Sequence, residues 1–151
     1  IAAGGIGTGR AMLAAMVLGA DGVQIGSRFV VSDESSGHIN FKKRVVASQE
    51  GDTLLTLKKL TPVRMLKNDF FEKVRRAELN GAGEKELSEL LGRARAKKGM
   101  FEGDLSEGEL EIGQISGMLD EIKPARTIVE EIMAEYALAK SEIQSNPKFN
   151  D

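Results

Sequence analysis

The sequence predicts an α/β fold in which a parallel strand–helix–strand unit precedes a mostly helical C-terminal extension. The apolar run Ile1–Ala3, with Ile6 after it, is typical of a strand that is buried on both faces, and Gly22–Ile25 is predicted to be a second strand. Between them, apolar residues recur at steps of three and four from Gly9 to Val17, which indicates a helix. Two strands separated by one short helix suit a right-handed parallel crossover. Thr8 can cap this helix, and Gly19 can end it.

Both predicted strands are followed by glycine and small polar residues. Gly4 and Gly5 follow the first strand, and Gly26 and Ser27 follow the second. The carboxyl ends of parallel neighbours lie side by side, and glycines there let a ligand approach outward-pointing N–H groups. The positive end of the helix that begins at Thr8–Gly9 adds to this attraction, and Ser27 adds a hydroxyl. The sequence therefore predicts a phosphate site like the one after strands seven and eight of an eight-stranded barrel.

Two other interpretations of the glycines are weaker. They could simply form tight turns, but four glycines in the six residues Gly4–Gly9 and a second glycine end at Gly26 favour a ligand. A P-loop is disfavoured because Arg10 and Ala11 occupy the positions of its Lys and Ser or Thr.

Composition limits the function classes. The chain has 151 residues, of which 41% are hydrophobic and 29% charged, as in a globular domain. Its net charge of −2 gives no basic field for nucleic acid, and no apolar run is long enough to span a membrane. The absence of Cys excludes thiolate metal sites and disulfides, and we expect no metal site. Because aromatic residues make up only 5%, we expect an aliphatic core.

The chain opens inside a predicted strand and without Met, and it contains two strand–helix units where a complete barrel has eight. We therefore expect it to be the C-terminal portion of a longer protein, with the missing N-terminal barrel segment as its first partner.

The remaining elements follow from local patterns. We predict a helix over His38–Ser48, an extended wrap or small hairpin over Thr53–Lys67, and a short charged helix over Glu84–Leu91. Asn68 or Asp69 should cap a helix that ends near Leu79.

Further along, Ile112–Ile122 reads as a helix on which Gly113 and Gly117 leave one side bare. The last helix begins at Pro124 and carries a clear apolar stripe. We expect a disordered polar tail over Ser141–Asp151.

Several of these segments together resemble the FMN-dependent nitronate monooxygenases, formerly called 2-nitropropane dioxygenases, and the related FMN-dependent enoyl-acyl-carrier-protein reductase II. The resemblance extends from Ile1 to about Tyr136. It rests on Ala3-Gly4-Gly5-Ile6, Leu18–Phe29, Pro62–Asn68, Phe101–Asp104 and Gly113–Gly117. It implies the C-terminal part of a TIM (β/α)8 barrel, namely its last two strands, followed by a mostly helical extension. The implied segments are 1–50 for the end of the FMN-binding barrel, 51–140 for a wrap and helical cap, and 141–151 for the tail.

The resemblance also implies a cofactor and an activity. FMN would be bound by residues at both strand ends and by one amide of the cap: Gly4, Gly5, Ile6, Gly26, Ser27 and Gln114. The activity would be nitronate oxidation with O2, or alternatively reduction of an enoyl thioester with NAD(P)H, on a small-molecule substrate. The catalytic histidine of such proteins lies earlier in their sequence, so we expect no catalytic residue here and no turnover by this chain alone. A cytoplasmic protein is expected, and a homodimer is one form it could take.

Three further features leave alternatives open. His38, the only histidine, is expected to be a helix cap or packing residue. Arg28 could reach the phosphate or pair with a carboxylate at the barrel rim. The basic stretch Arg93–Lys98 could attract an acidic partner such as an acyl carrier protein, or form a solvated helix face. A non-catalytic helical interaction module, docking through the C-terminal apolar stripe, is the alternative to an enzyme.

Overall fold

A computed structural model of the chain describes residues 1–149, and these form an α/β unit with a long C-terminal helix. The elements are β1 Ala2–Ala3, α1 Gly9–Val17, β2 Val23–Gln24, α2 Ser27–Val30, α3 Ile39–Val46, β3 Thr53–Thr56, β4 Val63–Leu66, α4 Asp69–Leu79, α5 Glu84–Leu91 and α6 Ala125–Ser145. A π-helical turn lies at Lys97–Phe101, and 3-10 turns lie at Gln114–Met118 and Pro147–Phe149. None of the helices within residues 1–149 is long and apolar enough to cross a bilayer.

The predicted strand–helix–strand unit is confirmed. β1 and β2 pair in parallel, with Ala2 opposite Val23. The Thr8 hydroxyl accepts a hydrogen bond from the Ala11 N–H at 3.1 Å, and Gly19 follows the helix with φ of +100°. The expectation that β1 is buried on both faces is wrong for the described residues, where Ile1 is 89% exposed. The reason is that β1 and β2 have only each other as sheet neighbours in this part of the chain.

Helix α1 packs against α6 with unusually close backbones. A Cβ at Gly9 would overlap the carbonyl oxygen of Ile132 and the backbone nitrogen of Tyr136. Only glycine fits at this position, because the obstructing atoms are backbone and cannot rotate away. The contact joins the start of α1 to the middle of α6, where Glu135 lies 126 positions after Gly9.

The stretch Thr53–Lys67 forms a hairpin, which is one of the two structures predicted for it. β3 and β4 are antiparallel, with Thr53 opposite Leu66 and Thr56 opposite Val63. The segment after residue 108 adds to this hairpin, since the Leu66 N–H donates to the Leu110 carbonyl at 2.9 Å. Asn68 caps α4 by accepting from the Phe71 N–H at 2.8 Å, as predicted.

The core consists of two clusters, and both depend on aromatic side chains. One cluster joins residues before and after position 50: Val31, Phe41, Val45, Leu66, Leu110, Ile112 and Leu119. The other lies under α4 and α5: Leu57, Met65, Phe70, Phe71, Val74, Ala82 and Leu87. The expectation of a purely aliphatic core is therefore wrong. Few aromatic residues are present, but Phe41, Phe70 and Phe71 are fully buried.

Two predictions near the C-terminus need correction. Ile112–Ile122 is not a helix, because Ile112 extends along β4, donating its N–H to the Arg64 carbonyl, and only Gln114–Met118 coils as a 3-10 turn. The disordered tail from Ser141 is also wrong through Ser145, since α6 continues to that residue. The last two residues of that expected tail, 150 and 151, lie outside the described part of the chain.

A buried lysine fixes the loop that follows α2. Lys42 on α3 is 5% exposed, and its ammonium donates to the carbonyl oxygens of Ser32 at 2.6 Å, Asp33 at 3.2 Å and Ser35 at 2.8 Å. All three N–H groups of the ammonium are thus satisfied by backbone, which is the condition for burying such a charge.

Replacing Lys42 by Met should therefore lower the free energy of unfolding by about 3 kcal/mol, since three loop carbonyls lose their donor. The matched control is Lys43→Met, because Lys43 is exposed on the same helix and should matter by less than about 0.5 kcal/mol. Urea unfolding monitored by circular dichroism measures both. Equal effects of the two substitutions would contradict the assigned role of Lys42.

Glu109 is a second buried charged residue, and it is 5% exposed. Burial raises the pKa of its carboxyl to about 7, with repulsion from Glu111 adding to the rise and Arg95 opposing it. The folded state therefore keeps a proton that the unfolded chain releases near its ordinary pKa of 4.5. The free energy of unfolding must fall as the pH rises from about 4.5 to about 7.

We predict that Glu109→Gln removes this pH dependence. At pH 8 the variant should be more stable than the parent by ~2–3 kcal/mol, whereas at pH 5 the two should be alike within ~1 kcal/mol. Urea unfolding at both pH values measures the difference, with Glu89→Gln on exposed α5 surface as the control. A Glu109→Gln variant with the parent's pH slope would show that another group titrates.

Candidate functional site

A cavity of 260 Å³ opens where β1 and β2 end. Five of the six predicted cofactor residues line it, together with residues of the strands and of the segment after β4: Ala3, Gly4, Gly5, Ile6, Gln24, Gly26, Ser27, Gly113 and Ile115. The structure therefore brings the two glycine ends together in one cavity. The parallel pairing of β1 with β2 explains why residues more than 20 positions apart meet there.

The glycines of this cavity leave space that a side chain would fill. Gly4 and Gly5 have φ of +83° and +73°, and a Cβ at either position, or at Gly26, would meet no atom within 4 Å. Successive backbone turns of this kind present N–H groups to an anion. With three bare backbone positions and a neighbouring hydroxyl, the cavity fits a phosphate group in size and in chemistry.

The Ser27 hydroxyl also ties the strand end to the C-terminal extension. Its oxygen accepts a hydrogen bond from the Gly113 N–H at 3.1 Å. A Cβ at Gly113 would lie 2.6 Å from the same oxygen, so glycine is required for this approach. The hydroxyl hydrogen remains a separate donor, because a serine oxygen can accept and donate at once.

The N-terminus of α1 does not contribute to the cavity in the predicted way. The Glu135 carboxylate of α6 accepts from the Gly9 N–H at 2.7 Å, and the Thr8 hydroxyl accepts from the Ala11 N–H at 3.1 Å. A carboxylate already lies at the positive end of this helix, and its negative charge opposes the binding of a phosphate there. The helix that does begin beside the glycines is the short α2, whose N-cap residue is Gly26.

Arg28 pairs with a carboxylate, which decides between its two predicted roles. One guanidinium nitrogen donates to the Gly7 carbonyl at 2.9 Å and another to the Glu131 carboxylate at 2.7 Å. Lys123 contacts the same carboxylate at 2.7 Å. The hydrogen bond from Lys123 lowers the pKa of Glu131, and Arg28 adds to that effect. Arg28, Glu131 and Lys123 together connect α6 to the loop between β1 and α1.

Gln114, the sixth predicted cofactor residue, lines a neighbouring cavity of 640 Å³. That cavity shares two of its residues with the first: it is lined by Gly5, Glu50, Gly51, Thr53, Arg64, Gln114, Ile115, Gly117 and Met118. The segment that carries Gln114 lies close against other backbone, as the bare glycines suggested, although it is not a regular helix. A Cβ at Gly117 would be 2.9 Å from the Glu50 backbone nitrogen.

Two polar features singled out in the sequence are structural. His38 is the N-cap of α3, where its Nδ1 accepts from the Asn40 N–H at 3.1 Å, as expected. Arg95 of the basic stretch is not on a solvated face. Its guanidinium lies 4.6 Å from the centre of the Phe70 ring and donates to the Glu107 carbonyl at 3.1 Å. Lys97 and Lys98 pair with Glu102 and Asp104 at 3.1 Å each, which neutralises most of this stretch.

A glycine-lined cavity at the ends of parallel strands, with a C-terminal extension contributing to its lining, is typical of cofactor-binding α/β enzymes. The family model described as nitronate monooxygenase matches residues 1–135 of this sequence. The chain therefore belongs to the nitronate monooxygenase family, which consists of flavin-dependent oxidoreductases. This membership gives no support to the alternative of a non-catalytic interaction module.

Curated relatives have the same description. A probable nitronate monooxygenase of Staphylococcus saprophyticus is 45% identical over 76 residues, which are 49% of this chain and 21% of that protein. Another from Staphylococcus haemolyticus is 38% identical over 81 residues, or 53% of this chain and 23% of the relative. The chain thus matches less than a quarter of the length of these relatives.

Solved structures extend the similarity over almost the whole chain. FabK from Thermotoga maritima matches with a TM-score of 0.86 and 38% identity, covering 94% of this chain and 45% of that one. Nitroalkane oxidase from Streptomyces ansochromogenes matches with a TM-score of 0.74 and 30% identity, covering 93% and 40%. Both are TIM-barrel enzymes, and this chain spans less than half of either.

Sequence reasoning missed two residues of this region. Glu135 was not predicted to reach the start of α1, because nothing local relates positions 126 residues apart. Arg64 was noted only within a family motif, although it lines the larger cavity. A charged residue in the middle of a short strand was the available signal for it.

Proposed function

We propose that this chain provides the phosphate-binding end and the cap of an FMN-dependent nitronate monooxygenase, which oxidises alkyl nitronates with O2. The observation that carries the proposal is the cavity between Gly4–Gly5 and Gly26–Ser27, built from the ends of two adjacent parallel strands. Membership of the nitronate monooxygenase family supports both the cofactor and the reaction class. In this proposal β1 and β2 are the last two strands of a TIM barrel, and preceding sequence supplies the others.

Each residue of the site has a role in holding the cofactor. The backbone N–H groups of Gly4, Gly5 and Ile6 and of Gly26 bind the phosphate, and the Ser27 hydroxyl donates to it while it accepts from Gly113. Gln114 reaches the cofactor from the cap.

FMN supplies the electron-transfer chemistry when bound, and this chain supplies binding and orientation. The acid or base of the reaction is proposed to lie outside these residues. Within residues 1–149, His38 is committed to capping α3, and none of the cofactor residues has an ionisable side chain.

An enoyl-acyl-carrier-protein reductase that uses NAD(P)H is the second candidate. The likeness to FabK, with the TM-score of 0.86, favours it as a specific observation. Both candidate enzymes bind the same flavin through the same proposed phosphate site, so the geometry at Gly5 and Gly26 does not distinguish them. Oxygen uptake with a nitronate, measured beside NADH oxidation with an enoyl thioester, separates the two reactions.

The proposed phosphate site can be tested at Gly5. Gly5→Val should weaken FMN binding at least about tenfold, because the side chain enters the open space beside the backbone and is strained at φ of +73°. The matched control is Gly81→Val, since Gly81 has φ of +85° and equally open space but lies in the turn after α4, away from the cavity. Flavin fluorescence titration of the full-length variants measures the affinities. Parental affinity in Gly5→Val would refute the placement.

The proposed location of the catalytic groups can be tested by turnover. Residues 1–151 alone should show no nitronate oxidation and no enoyl reduction, even with excess FMN, because barrel enzymes take catalytic groups from the ends of several strands. Supplying the N-terminal segment of the protein, in one chain or as a complementing fragment, should restore activity. Oxygen uptake and NADH oxidation are measured on both forms. Turnover by residues 1–151 alone would place the catalytic groups within this chain.

A further inference from the structure

Arg64 is a partly buried cation in the centre of the hairpin. It lies on β4, and its guanidinium donates to the carbonyl of Thr53 at 3.1 Å and to the Thr53 hydroxyl at 3.3 Å. Its own carbonyl accepts from the Ile112 N–H at 3.1 Å. The two Thr53 bonds hold the guanidinium against β3, and the Ile112 bond holds the Arg64 backbone beside the segment that leads to Gln114.

The environment of Arg64 differs from that of the other partly buried arginines. Arg28 has a carboxylate at 2.7 Å, Arg44 at 3.9 Å and Arg95 at 3.7 Å. Within residues 1–149, Arg64 has no carboxylate within the 4.0 Å of an ion pair, and its recorded partners are neutral oxygens of Thr53. A guanidinium that is partly removed from water and lacks a counter-charge is costly unless an anion joins it.

The cavity that Arg64 lines has room for such an anion. Its volume of 640 Å³ lies within the range of small-molecule sites. It shares Gly5 and Ile115 with the 260 Å³ cavity at the ends of β1 and β2. Gln114 adds an amide to the lining, and Met118, which is 65% exposed, adds a flexible apolar side chain. Glu50 is the one carboxylate of this lining and is solvent-exposed, so it opposes an anion without neutralising Arg64.

We propose that Arg64 binds an oxyanion group of the substrate in this cavity, beside the cofactor. This inference rests on the proposed function and specifies the chemistry of its substrate. A nitronate spreads one negative charge over two coplanar oxygens, which the fork of a guanidinium matches in geometry and sign. The phosphate of a nucleotide or of an acyl carrier presents the same chemistry, and the two sources are separated by experiment.

The direct test measures anion binding to the flavin-loaded, full-length protein by calorimetry. Nitrate, a planar oxyanion that does not react, stands in for a nitronate, and inorganic phosphate stands in for a nucleotide or carrier. Arg64→Gln should weaken binding of the preferred anion about tenfold to a hundredfold, and Arg64→Lys should recover only part of the loss. The matched control is Arg44→Gln, which removes a comparable arginine outside the cavity and should leave affinity unchanged.

A second substitution with the opposite expected effect on anion affinity keeps the test valid if Arg64→Gln does not fold. Glu50→Gln removes the repelling carboxylate without touching the hairpin bonds, and it should tighten the same anion roughly twofold to fivefold. Unchanged anion affinity in both Arg64→Gln and Glu50→Gln would overturn the proposal. If Arg64→Gln does not fold, Glu50→Gln and Arg64→Lys decide it by the same criterion.

Kinetics identify the source of the anion. If the group is a nitronate, Arg64→Gln should raise KM for the nitronate at least about tenfold with kcat little changed. If it is a phosphate, KM for NADPH or for the enoyl thioester should rise instead. Unchanged KM for all of these would overturn a substrate role. Titration of the parent protein with FMN tests the proposed function separately, because Arg64 does not line the cavity at the ends of β1 and β2.

Discussion

The close approach of α6 to the start of α1 is the constraint on which the rest of this structure depends. The backbones meet at Gly9, where any side chain would overlap Ile132 and Tyr136. Because Glu135 then lies beside the Gly9 N–H, the positive end of α1 is neutralised from within the protein. The proposed phosphate site therefore consists of the glycine turns and the start of α2, and does not include the start of the longer helix.

The same helix holds the strand ends and the C-terminal extension together as one unit. Arg28 joins the loop after β1 to Glu131, and Lys123 contacts that carboxylate from the chain just before α6. The Ser27 hydroxyl and the Gly113 N–H make the corresponding link from the start of α2, just after β2. A core cluster that draws on residues from both sides of position 50 completes the connection. The C-terminal extension is consequently fixed to the strand ends by polar and apolar contacts together.

Local signals predicted the features that local chemistry determines. The parallel crossover, the caps Thr8, His38 and Asn68, and the turn at Gly19 are all set by residues close in sequence. The glycine ends were predicted to meet because the carboxyl ends of parallel strands must lie together.

Most of the incorrect predictions share one cause, namely contacts between residues that are far apart in sequence. The dipole of α1 is cancelled by Glu135, far away in sequence, and the segment after Ile112 extends along β4 instead of coiling. Gly113 and Gly117 are required by contacts with Ser27 and the Glu50 backbone, which no helical periodicity reveals. The aliphatic core was inferred from the number of aromatic residues. Their position decides burial, and Phe41, Phe70 and Phe71 occupy the two clusters.

A crystal structure of the full-length protein with FMN would test the central claim most directly. We expect the phosphate in the cavity between Gly4–Gly5 and Gly26–Ser27, with backbone nitrogens about 3 Å from its oxygens and Glu135 still bonded to Gly9. A phosphate bound at the N-terminus of α1, with Glu135 displaced, or bound away from both glycine turns, would contradict the account.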